Sequence, residues 1–149
     1  NKIYFILMFN NLFRIAQHDI GVFKGLTFFS IISVYTDLRE NLSKCKNKNF
    51  LPLFLHAIHH FTYTLLHVVF LFENKYLLIA GLIFLISTVL HWGSNKNKCF
   101  ITQLYNRNCD FEEGKNLNVF TNSTNNPTFF DIKFPYVYIL IVAIKLLYY

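Results

Sequence analysis

The residues with the most chemistry in this chain lie between positions 56 and 67, HAIHHFTYTLLH, where four of the six histidines fall within twelve residues. On a helix at about 100° per residue with His56 at zero, His60 falls at about 40°, His67 at about 20° and Tyr63 at about −20°. These four side chains make one narrow stripe about 16 Å long, and His59 lies at its edge. Imidazoles offered from facing helices ligate haem iron axially, and three or four of them bind zinc or another transition metal. An imidazole also hydrogen-bonds a quinone or relays a proton. The plainer reading is that His and Tyr inside an apolar helix hydrogen-bond to neighbouring helices, and the pattern favours that reading. No catalytic residue and no metal set is assigned.

The elements around the stripe decide the class. Leu51 to Phe72 is a run of 22 residues without Asp, Glu, Lys or Arg, and Tyr76 to Trp92 is a second run of 17. A bilayer core of about 30 Å takes roughly 17 to 25 apolar residues as helix. Hydrophobic residues make up 54% of the 149-residue chain and charged residues 15%, against about 25% charged in a soluble domain. A soluble core of this size seldom buries two such helices on all sides. The fold class read from the sequence is therefore all-α, an integral membrane helical bundle of three to four transmembrane helices. It includes an antiparallel hairpin, 51–72 and 76–92, closed by Glu73-Asn74-Lys75. With the turn centred on Asn74, position 91 lies level with position 57. His91 then joins His56 and His60, so that His56, His60, His67, His91 and Tyr63 are the candidate residues for binding haem b or a quinone.

The remaining chain is a single membrane domain. Residues 1–18 read as an interfacial helix. Asp19 is the expected N-cap of a transmembrane helix over 19–36, with Gly21 and Gly25 at the small-xxx-small spacing that lets helices approach closely. Pro52 suits the first turn of the next helix. Residues 93–134 read as a polar loop, turn-rich at Thr121 to Thr128. Pro135 opens a short transmembrane helix over 135–149, which Lys145 interrupts. The chain begins at Asn1 without a signal-peptide pattern, and Met8 is its one methionine, so the natural N-terminus is expected upstream. The wealth of Asn, Lys, Ile, Phe and Tyr resembles the coding bias of AT-rich genomes. That bias is shared by protists, organelles and large viruses, and the expected location is a mitochondrial inner membrane or a viral or host membrane.

The net charge of +6 raises nucleic acid as a partner and the distribution excludes it, because the basic residues flank the apolar runs and form no separate patch. Lys44, Lys46 and Lys48 before the hairpin, with Lys96 and Lys98 after it, put that side in the cytosol or matrix by the positive-inside rule. Cys45, Cys99 and Cys109 fall on the same side, which is ordinarily reducing. Free thiols are expected there, with a Cys99–Cys109 disulfide or zinc binding by that pair and a His as the alternatives. The glycosylation sequons at Asn41 and Asn122 are expected to be unmodified for the same reason.

Two local resemblances bear on function. His56-x-x-His59-His60 is similar to one histidine box of membrane-bound fatty acid desaturases and hydroxylases. Those enzymes use several boxes with about eight His in all to hold two irons, and this chain has six His, two of them outside any box. The enzyme reading is rejected. His91-Trp92, six residues, then Cys99-Phe-Ile-Thr102 resembles the end of the penultimate helix in small multi-pass membrane proteins of large DNA viruses and protists. An acidic residue often follows the Thr in those proteins, where Tyr105 stands here. That resemblance implies a multi-pass membrane protein and no activity. In this pattern Trp92 anchors at the interface, while Cys99 and Thr102 fold the loop back onto the helix end and His91.

Soluble-enzyme motifs are missing: there is no G-x-S-x-G, P-loop or G-x-G-x-x-G. The expected role is a non-catalytic structural or accessory subunit of a larger membrane complex, with the lipid bilayer and other membrane subunits as partners. The alternatives are a haem b- or quinone-binding anchor subunit of a succinate dehydrogenase-like respiratory complex, and a small transporter or proton-conducting pore.

Overall fold

The computed structural model describes residues 2–40, 44–47, 49–96, 99–111 and 129–149, and their regular structure is helical throughout. Five α-helices follow in order: α1 Lys2–Glu40, α2 Phe50–Val68, α3 Lys75–Ser94, α4 Phe100–Cys109 and α5 Phe129–Leu147. A 3-10 turn, Val69–Leu71, extends α2. Three of these stretches are long and apolar enough to cross a membrane: Leu7–Thr36 with 30 residues, Phe50–Leu71 with 22 and Lys75–Ser94 with 20.

Helix ends follow local chemistry. The Asn49 side chain accepts a hydrogen bond from the Leu51 amide at 3.1 Å and caps α2. Asn74 does the same for α3, accepting from Tyr76 and Leu77. Asp110 stops α4 in the left-handed region at φ 58°, a conformation that Asp tolerates better than most residues. The Phe111 amide then returns to the Asn106 carbonyl at 2.9 Å.

The helices do not pair as the sequence suggests. α2 packs along its length on α1 and α4, and α3 packs on α5 and the 3-10 turn. The tight hairpin between 51–72 and 76–92 is therefore corrected to two arms that share a turn and take different neighbours. The reason lies in the faces of α2, whose buried residues Leu55, His56, His59 and His60 seat against α1 and α4. The close approach falls at Gly81, where a Cβ would lie 1.9 Å from Val69 Cγ2. Nothing lies within 4 Å of a Cβ at Gly21 or Gly25, so the expected small-residue contact on α1 is corrected as well.

α1 runs unbroken through position 19, in place of an interfacial helix over 1–18 and a second helix capped by Asp19. Asp19 caps a different element. Its two carboxylate oxygens accept from the Glu73 and Asn74 amides at 2.8 and 2.9 Å, the donors that precede α3. From the other side Lys145 donates to the Phe70 and Phe72 carbonyls at 3.3 and 2.6 Å, the acceptors that α2 leaves behind. The turn is thus held by an acid at a helix N-terminus and a base at a helix C-terminus, the signs the helix dipoles favour. The Phe23 and Phe72 rings close the same corner, with centroids 4.9 Å apart.

Two further expectations change. The polar loop over 93–134 contains α4, whose buried positions Thr102, Tyr105, Asn106 and Cys109 follow helical spacing. α5 begins at Phe129 and carries Pro135 inside it. The turn-rich reading of Thr121 to Thr128 lies outside the described residues.

Two substitutions test this packing. Gly81→Ala is expected to destabilise the detergent-solubilised protein by about 1–3 kcal/mol through overpacking on Val69, with partial rescue by Val69→Ala, while Gly25→Ala is neutral in the same thermal melt. Asp19→Ala is expected to cost about 1–3 kcal/mol, since it strands two amide donors.

Candidate functional site

The α2 stripe is interior. His56, His59 and His60 are 0%, 8% and 4% exposed, whereas Phe28, Phe29, Ile31 and Ile83 on the outer faces are each about 60% exposed. The imidazoles are enclosed beside buried Leu and Val residues such as Leu26, Leu78, Leu85 and Val142, while many further large apolar side chains face outward, more than a soluble domain leaves exposed.

Each buried histidine reaches a different part of the bundle. His60 Nδ1 shares a hydrogen bond with Ser33 Oγ of α1 at 2.6 Å. His59 Nδ1 lies 3.4 Å from Thr102 Oγ1 of α4 and 3.8 Å from Cys99 Sγ at its start. The His56 ring packs on Tyr105 of α4, with centroids 5.4 Å apart. One turn past the middle of the stripe, His67 Nδ1 lies 3.1 Å from the Tyr138 hydroxyl of α5. Within α2 the rings also touch one another: His56 on His60 at 4.7 Å, His59 on His60 at 5.5 Å, His59 on Tyr63 at 6.4 Å and Tyr63 on His67 at 4.7 Å. The structure therefore joins four of the five predicted site residues, His56, His60, Tyr63 and His67, into one track and adds His59 to it.

His91 stands apart. Its Nε2 accepts a hydrogen bond from the Phe100 amide at 3.2 Å and its ring meets the Phe100 ring at 6.4 Å. It caps the N-terminus of α4. The helical geometry behind the expected trio of His56, His60 and His91 assumed α3 packed against α2, and α3 packs on α5. This bears on haem. Axial ligation takes imidazoles that face each other across a gap wide enough for the macrocycle. His56 and His60 sit one turn apart on a single helix with their rings in contact, so this pair does not supply two axial ligands from opposite faces of one haem. Among the described residues no group of three or more His, Cys, Asp or Glu is arranged to hold a metal ion.

Ser33, Thr102, Tyr105 and Tyr138 complete the track; none was among the predicted binding residues, and Thr102, expected to fold the loop toward His91, meets His59. Tyr105 and Thr102 were legible through the helical spacing 102, 105, 106, 109 in a stretch taken for loop. Tyr138 reads from sequence as an interface anchor, and the hydroxyl of a buried Tyr finds a partner. The cysteines pair differently from any sequence expectation: Cys45 and Cys109 form a disulfide with Cα atoms 4.5 Å apart, and Cys99 is free. Cys99 and Cys109 occupy opposite ends of α4, about 15 Å apart at 1.5 Å per residue, beyond the reach of a disulfide. Beside the cross-link, Lys46 bonds Asp110 and holds its carboxyl below the usual carboxylate range.

No protein-family model, curated protein or solved structure matches this chain. The site is therefore read from its own geometry, which is that of interhelical polar ties radiating from one helix.

A double-mutant cycle tests that geometry. Ser33→Ala and His60→Leu should couple by about 0.6 to 1.7 kcal/mol, the range for hydrogen bonds between membrane helices. Ser33→Ala and His67→Leu, which share no bond, should be additive in the same unfolding measurement.

Proposed function

We propose that this chain is an integral multi-pass membrane protein that serves as a non-catalytic structural or accessory subunit of a larger membrane assembly. The observation that carries the reading is the outer face: phenylalanine, isoleucine and leucine cover the outside, while three imidazoles are enclosed with the apolar core. In water that surface would cost far more than the small interior core returns. In lipid it costs nothing, and the polar ties inside become the means of fixing helix positions. Each tie ends on a neighbouring helix, which supports a scaffold whose histidines serve packing.

The continuous ring contacts from His56 to Tyr138 favour one further reading, a proton-conducting path through the bundle. Replacing His60 and His67 by Leu separates the two. A scaffold keeps its assembly with reduced stability and shows no change in proton flux in vesicles, whereas a path loses its flux.

The main test uses membranes that contain the full chain. The protein is expected to stay in the membrane through alkaline carbonate and to migrate on a native gel, after mild detergent, well above its own 17.7 kDa. Its visible spectrum is expected to be flat. Release by carbonate, a stable active monomer, or a Soret band that disappears in His60→Leu would each sink the scaffold reading.

A further inference from the structure

One end of the bundle carries two signals that point to opposite compartments. That end gathers the connection from α1 to α2, the connection from α3 to α4 and the last turn of α4. The exposed bases Lys44, Lys46 and Lys96 stand there, and by the lysine bias it faces the cytosol or matrix. The same end holds the Cys45–Cys109 disulfide, 1% and 0% exposed and packed with Leu55 and Tyr105. Cytosolic thiols are kept reduced, and structural disulfides form on the other side of the membrane. The two signals differ in kind. The lysine bias is a preference during insertion, and a lysine on either surface remains hydrated. A disulfide is a covalent product that requires an electron acceptor. Lys46 pairs with Asp110 beside the cross-link, with both side chains in solvent.

We propose that the disulfide-bearing end of the bundle faces the oxidising side of its membrane, away from the cytosol, and that the Glu73–Lys75 turn faces the cytosol. The inference rests on the membrane reading above and reverses the orientation that the lysines alone suggest. The cross-link is formed by exchange with a protein disulfide. One thiolate of the pair attacks that disulfide and gives a mixed disulfide. The second thiolate resolves it, so that Cys45 and Cys109 lose two electrons and two protons and the donor leaves as a dithiol. The bond ties the start of α2 to the end of α4 and so keeps α4 seated over His56 and His59. Placement in an oxidising compartment is what makes that seat permanent.

The test uses the full chain in microsomes sealed with their cytosolic face outward. Free thiols are blocked under denaturing conditions, and a mass-tagged maleimide is then added with and without prior reduction. Two tags are expected only after reduction, with none gained in Cys45→Ser and both retained in Cys99→Ser. Sidedness is read in the Cys99→Ser background by adding Lys75→Cys at the turn or Ser94→Cys at the other end, both at exposed positions. A membrane-impermeant maleimide is expected to label Lys75→Cys in intact vesicles and Ser94→Cys only after lysis. Three thiols already free before reduction overturn the proposal, and so does labelling of Ser94→Cys from outside intact vesicles. Carbonate extraction of the same vesicles keeps the two readings distinct: a chain that is stripped off fails the membrane reading itself, whatever its thiols report.

Discussion

The structure depends on how the turn between α2 and α3 satisfies its backbone. Where one helix ends and another begins, several carbonyls and amides lose their intrahelical partners. Away from water each unpaired group is costly. Here the amides of Glu73 and Asn74 are taken by Asp19 and the carbonyls of Phe70 and Phe72 by Lys145. The two side chains come from α1 and α5, the first and last helices in the chain. One local debt thereby fixes the depth of four helices relative to one another, and the rest of the packing follows from that register.

From this corner α2 runs back through the bundle as its hub. With α1 on one side and α4 on the other, it has little room for a featureless apolar stripe. Histidines let it hold neighbours by direction as well as by contact, since the rings of His59, His60 and His67 each place a nitrogen against a hydroxyl of α4, α1 or α5. Polar ties of this kind add modest energy in an apolar medium and specify position sharply. The far end of the hub is closed by covalent means, with the disulfide between Cys45 and Cys109 holding α4 over the track. A bundle with a clamped turn at one end and a cross-link at the other keeps its interior polar groups enclosed without a large hydrophobic core.

The sequence by itself determined that this protein is helical, with helices long and apolar enough to cross a membrane. Two uncharged runs of helical length, and histidines that recur on one helical face, are local patterns. They reflect the period of the helix and the chemistry of each side chain, and both survive without knowledge of any partner. The capping of α2 by Asn49 and of α3 by Asn74 belongs to the same local physics, as does the hidden period of α4. Tertiary structure alone decided the pairings. Whether Asp19 caps its own helix or a turn 54 residues away depends on where α1 is laid down. The partner of His67 depends on α5 returning to lie against α2, and the partner of Cys109 depends on α4 folding back toward the start of α2. These are contacts between segments distant in sequence, set by the fit of whole helix faces, and neither spacing nor residue type carries that information.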